Sequence, residues 1–291
     1  MWVLFAFGSA LFGGITSILA KCGIKETDSN VATAIRTIAV FLFSCLMAAI
    51  TASPEDGGVS ARCWVFLILS GLSTGASWLC YFRALQIGDI NKVVPIDKSS
   101  AIITMILAMI FLGESITIAG AVSIVLIGAG TFLMIEKKDG TLSKSDTKST
   151  WLIYALFSAL FASLTSILGK IGIEGIDSNL GSAIRTGIVL IMSWAIVFIS
   201  GKKSEIKRIS GKELIFITLS GVATGASWLC YYRALQEGPA SAVVPIDKLS
   251  ILITVIFSRL VFNEHLSGKA AAGLAMLTGG TLLMTMGTIL E

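Results

Sequence analysis

The chain has 291 residues, 55% hydrophobic and 14% charged, with a mean hydropathy of +0.87. A soluble domain carries about 25% charged residues, so this chain cannot cover itself with a wettable surface. Four prolines, five scattered cysteines and 29 glycines without a fixed period exclude collagen-like, disulfide-scaffold and low-complexity disordered classes. The net charge of +4 sits largely in short polar islands, which argues against a nucleic-acid partner.

Between the islands lie ten apolar runs: 2–20, 31–52, 63–87, 91–112 and 116–135, then 151–171, 180–200, 213–237, 240–262 and 267–289. Each is about as long as the ~20 residues a helix needs to cross hydrocarbon, and none shows the ~10-residue alternation of a membrane barrel. The fold class is therefore an all-α polytopic membrane protein with ten transmembrane helices. Residues 2–20 carry no basic leader and are read as the first span, not as a signal peptide. The surrounding partner is lipid.

The ten runs are one five-helix unit written twice. Shifting 2–37 by 149 positions gives 20 identities in 36, and shifting 70–134 by 150 gives 31 in 65. GLSTGASWLCYFRALQ (71–86) returns as GVATGASWLCYYRALQ (221–236), and VVPIDK occurs at 93–98 and 243–248. The organisation is a repeat over 1–135, a polar linker over 136–150 and a repeat over 151–291. Five is odd, so the second copy enters the bilayer from the opposite side. Inverted repeats of this kind are the architecture of secondary transporters, with the solute site near the midplane where the repeats meet. Gly71 and Gly75, with Gly221 and Gly225, are spaced for close helix packing.

Ionisable groups at bilayer depth cost about 2.5–3.5 kcal/mol each on insertion scales and are functional candidates. The fourth spans carry Asp97, Lys98, Ser100 and Thr104, repeated as Asp247, Lys248, Ser250 and Thr254, with Pro95 and Pro245 just before them. On a helix the Asp, Ser and Thr share a face, a stripe suited to a polar cavity. The alternative is that each Asp forms a structural ion pair with a neighbouring cation. In the third spans Trp78 and Tyr81 share a face, as do Trp228 and Tyr231, followed by Arg83 and Arg233. These fourteen residues form the candidate solute site. The arginines and lysines would hold a carboxylate, the rings would pack the solute's body, and Asp97 or Asp247 could bind a coupling proton or cation. No cofactor or metal is called for: the only histidine is His265. Lys21, Arg36, Lys170, Arg185 and Arg259 are secondary candidates. Lys21 and Lys170, with Glu114 and Glu264, equally suit boundary anchoring or helix capping.

The pattern resembles the drug/metabolite transporter superfamily in its ten-span form with two EamA repeats. The residues that carry the resemblance are Lys21 and Lys170 ending first spans and Arg36 and Arg185 opening second spans. The aromatic pairs before Arg83-Ala84-Leu85 and Arg233-Ala234-Leu235, Pro95 and Pro245, and Glu114 and Glu264 before fifth spans complete it. The resemblance implies a secondary carrier, often an exporter, of amino acids or other small metabolites, in a prokaryotic cytoplasmic membrane and without ATP use. A monomer suffices for such a carrier, and five-span units that pair as dimers are the related form. The rivals are a multidrug exporter of lipophilic cations and a membrane protein that transports nothing; with one histidine, an enzyme is not expected. Lys and Arg number 13 in the odd-numbered interhelix loops against two on the side bearing the termini. That count puts both termini outside, whereas the resemblance implies both inside.

Overall fold

The structure is a computed structural model that describes residues 1–23, 27–51, 59–87, 93, 96–97, 99–115, 117–134, 150–262 and 267–290. The linker 136–150 lies almost wholly outside these residues, as do Asp89, Lys92, Pro95, Lys98, Glu264, His265 and the side chains of Lys21 and Arg259. The first repeat contributes α1 (Trp2–Gly23), α2 (Ser29–Thr51), α3 (Ala61–Ile87), α4 (Ser100–Leu112) and α5 (Ile118–Leu133). The second contributes α6 (Thr150–Gly172), α7 (Ser178–Ile199), α8 (Gly211–Glu237), α9 (Ala240–Lys248), α10 (Ser250–Phe262) and α11 (Gly268–Leu290), with a 3₁₀ turn at Lys202–Arg208. Eight spans are long and apolar enough to cross a bilayer, α9 and α10 together making one; the shorter apolar α4 and α5 bring the total to ten. Among the described residues there is no β-strand.

The main break from the expected spans is in the run 240–262. The helix does not stop at Pro245, which lies inside α9; it ends at Lys248, and Leu249 links two helical pieces by short i→i+3 bonds. Pro245 lacks the N–H that would bond the carbonyl of Ser241, and the backbone absorbs that loss one turn later. In the first repeat Ser99 stands at the equivalent place, its N–H and hydroxyl both donating to the carbonyl of Ile96 (3.1 and 2.6 Å).

Each repeat packs mainly on the other. Helix α1 lies along α8 and α3 along α6; α2 meets α7, and α5 meets α11. Exchanging the two repeats turns the first pair into the second and leaves the other two unchanged, which is the signature of a pseudo-two-fold axis between inverted units. Small residues make the crossings possible. A Cβ on Gly71 would lie 2.7 Å from Cβ of Ile188, and one on Gly221 would lie 2.7 Å from both Cβ of Ala39 and the carbonyl of Arg36. With no hydrophobic drive between helices in lipid, such close contact supplies the attraction. The helix starts repeat the symmetry: Asp28 caps α2 through the N–H of Asn30, and Asp177 caps α7 through those of Asn179 and Leu180. Cys45, Cys63, Cys80 and Cys230 are free thiols.

Candidate functional site

The middle of the bundle holds an open cavity of about 320 Å³. Its walls come from both repeats, with Thr16 and Ser17 on α1, Thr74, Ser77 and Trp78 on α3, and Thr165 and Ser166 on α6. Helix α8 adds Thr224, Ser227, Trp228, Tyr231 and Tyr232; the break between α9 and α10 adds Asp247, Lys248 and Ser250. Arg185 of α7 completes the lining. The size suits a small organic solute, and the wall is unusually rich in hydroxyls for a chamber between apolar helices.

Arg185 is 3% exposed, and its Nη2 donates to Thr74 Oγ1 at 3.1 Å. Among the described residues, Nε and Nη1 have no hydrogen-bond partner. The guanidinium lies 4.2 Å from the ring centre of Trp228 and 5.0 Å from that of Tyr232. These π-faces stabilise the charge by about 2 kcal/mol or more when desolvated, but they accept no hydrogen bond. The site is a buried cation with its fork unfilled.

The carboxylates are held across the repeat boundary. Ser9 Oγ donates to Asp247 Oδ1 at 2.5 Å, and Ser227 Oγ donates to the carbonyl of Ser9 at 2.9 Å. The other copy repeats this: Ser158 Oγ donates to Asp97 Oδ1 at 2.7 Å, and Ser77 Oγ to the carbonyl of Ser158 at 3.0 Å. Each acidic residue of a fourth span is thus steadied by the first span of the opposite repeat. Paired threonines on the cavity wall follow the same symmetry, Thr74 with Thr165 (3.2 Å) and Thr224 with Thr16 (3.3 Å). The Tyr231 hydroxyl donates to Ser166 Oγ at 2.7 Å.

Of the sequence candidates, Trp78, Trp228, Tyr231, Asp247, Lys248, Ser250 and Arg185 meet in this cavity. Ser100 and Thr104 are buried outside the lining, and Thr104 and Thr254 turn their hydroxyls back onto the carbonyls of Ser100 and Ser250. Tyr81 packs instead among Ala84, Val93, Trp151 and Tyr154. Arg233 does not face the cavity: it is exposed and paired with Glu237 at 2.6 Å. Arg83 is likewise exposed. For Arg233 the reason is helical geometry, since it follows the cavity residue Tyr231 by two positions, about 200° around the helix. Neither Arg36 nor Asp97 belongs to the lining. The residues that sequence reasoning missed are the hydroxyls, Ser9, Ser77, Ser158 and Ser227 above all. Their identity in both copies was the available signal.

Lys170 lies away from the cavity, on the membrane face that carries both termini. Its Nζ donates to Glu114 Oε1 at 3.1 Å and to the carbonyl of Gly238 at 2.6 Å. The N–H groups of Ala240 and Ser241 donate to Glu114 Oε1 and Oε2 at 2.7 and 2.9 Å. Burial pushes the Glu114 carboxyl up, but the Lys170 charge and the bonds from Ser241 and Ala240 outweigh it and hold the group below the usual carboxylate range.

The EamA-like transporter family matches this chain over residues 1–136 and 149–286. An uncharacterized transporter in the cobO 3′ region of Sinorhizobium sp is 42% identical over 137 residues, which are 47% of this chain and 97% of that protein. An uncharacterized protein of Methanocaldococcus jannaschii is 29% identical over 137 residues, again 97% of its own length. The uncharacterized transporter YxxF of Bacillus subtilis is 22% identical over 79% of this chain and 70% of its own. A solved crystal structure superposes with a TM-score of 0.81 at 15% identity, covering 99% of this chain and 97% of that one, which supports the fold alone. Matched in both of its repeats, this ten-span chain belongs to the EamA-like transporter family of the drug/metabolite transporter superfamily.

Proposed function

We propose that the protein is a secondary carrier of small polar organic solutes bearing a carboxylate, such as amino acids and related metabolites. Alternating access around the midplane cavity moves the solute, and export across a prokaryotic cytoplasmic membrane is the direction that the family implies. The observation that carries this reading is Arg185, buried in the cavity wall with Nε and Nη1 lacking hydrogen-bond partners among the described residues. A carboxylate entering the cavity fills that fork with charge-assisted bonds, the strongest polar contacts open to a small ligand. Asp247 in the same wall suits an ammonium on the same solute, so a zwitterion fits better than a simple anion. Asp247 and Asp97 are the candidate sites for a coupling proton.

The tryptophans and Asp247 lend the rival reading, export of lipophilic cations, some support, but Arg185 and Lys248 in one small cavity oppose it. A thermal-stabilisation screen of the purified protein separates the two. Amino acids and other carboxylates raise the melting temperature of the wild type and not of Arg185→Gln, and the stabilising solute then shows counterflow in proteoliposomes. Stabilisation by lipophilic cations alone would overturn the proposal.

A further inference from the structure

Helix α9 begins with a defect. Its N-cap is Pro239, which offers no side-chain oxygen to the first N–H groups, and a buried helix start left without acceptors is unfavourable. The acceptor comes from the other repeat: both oxygens of Glu114, in the turn between α4 and α5, take the N–H groups of Ala240 and Ser241. Lys170 at the end of α6 bonds the same carboxylate and the Gly238 carbonyl at the end of α8. Gln236 adds two bonds to the α6–α7 turn, at the carbonyls of Ile173 and Ile176 (3.2 and 2.6 Å). Four elements of both repeats therefore meet at one carboxylate on the terminus-bearing face. From this knot to the cavity α9 runs through Val243, Val244 and Ile246, each no more than 2% exposed. A second cavity of about 430 Å³ borders Glu114 and Lys170 from outside.

We infer that Glu114 and Lys170 form the latch that keeps the terminus-bearing face of the carrier closed, with α9 as the part released when it opens. The inference rests on the carrier reading of the central cavity. Helix α9 spans nine residues and carries Asp247 and Lys248 at its inner end, so the latch also sets the position of two cavity groups. A part-buried ion pair contributes little net stability because desolvation offsets its attraction, yet removing one partner alone is costly. That combination suits a gate. On opening, water replaces every partner that the carboxylate, the ammonium and the two N–H groups give up.

The test uses the full chain with its five cysteines replaced and one cysteine introduced by Val243→Cys, reconstituted in vesicles. A membrane-impermeant maleimide is applied from the terminus-bearing face, which a protease-sensitive tag at residue 291 identifies. With Glu114 and Lys170 intact, labelling is slow. With Glu114→Gln it rises by about tenfold or more as the open population grows, and reagent applied to the opposite face shows no such rise. If Glu114→Gln does not fold, Lys170→Gln takes its place, leaving Glu114 to cap α9 and giving a smaller increase. Unchanged labelling in whichever variant is folded, as judged by monodispersity and melting temperature, overturns the latch. Solute counterflow is measured on the same vesicles. Flux without a labelling change removes the latch and leaves the carrier, and a labelling change without flux for any solute does the reverse.

Discussion

Arg185 holds a charge that two rings and one threonine accommodate without neutralising. A hydrogen bond to a charged group contributes about 1.5–3 kcal/mol, so Arg185→Gln weakens binding of a carboxylate solute by roughly 10- to 150-fold in calorimetric titration. Arg185→Lys keeps the charge but loses the planar fork and falls between the two. The serine relay makes a second prediction. Ser9→Ala strips a donor from a partly buried carboxylate, which lowers stability by about 1–3 kcal/mol. Because Ser9 and Asp247 act as one unit, Ser9→Ala with Asp247→Asn loses less than the sum of the single changes, a result read by thermal melting. At this scale the sequence was legible where a residue type is rare in a membrane. Trp228, Tyr231 and Asp247 stood out and do meet in the cavity. Serine is common in packed spans, so Ser9 and Ser158 drew no notice. Arg83 and Arg233 stood out as well, yet both are exposed and lie outside the lining.

Helices were the legible elements, since an apolar run of about 20 residues has few other fates. The break in the ninth span was not legible to the residue. Pro245 marks the span, but the chain continues helically past it to Lys248 and turns at Leu249, where short backbone bonds are available. Nor did Pro239 reveal that its helix would be capped by Glu114 from 126 positions away. Titrating that cap gives a prediction with a definite sign. The folded-state pKa of Glu114 is depressed, so its contribution is complete above the ordinary carboxylate value of about 4.3 and is lost as pH falls through the lower folded value. Lys170 faces the carboxylate, and Glu174 and Glu237 are the nearby acids, occupied by Arg62 and Arg233 respectively. Melting temperature in detergent should fall steeply over that acid range in the wild type and less steeply in Glu114→Gln. Helix crossings carry their own test. Gly221→Val forces a branched side chain against Ala39 and the Arg36 carbonyl; overpacking of this kind lowers stability by about 1–3 kcal/mol, and a reduced melting temperature checks it.

The whole molecule is two units that cannot be pulled apart without dissolving the site. The principal neighbours of α1, α2, α3 and α5 all belong to the second repeat, and the carboxylate–serine bonds cross the same boundary. Relatives whose full length matches only half of this chain show that the unit exists as a separate polypeptide. Residues 1–140 expressed alone should therefore give no monodisperse monomer. Expressed together with 141–291 they should yield a stable complex with the melting behaviour of the intact chain, measured by size-exclusion chromatography and thermal scanning. The duplication was plain in the sequence; what lay beyond it was how far the copies have diverged in use.

Arg185 lines the cavity and its repeat counterpart Arg36 does not. A chamber with true two-fold symmetry would accept a solute in two equivalent poses and could admit a pair. Among the described residues one guanidinium stands in the wall, so on the proposed reading the two poses are no longer equal: a carboxylate solute docks with one preferred end, and a calorimetric titration should saturate at one equivalent per chain.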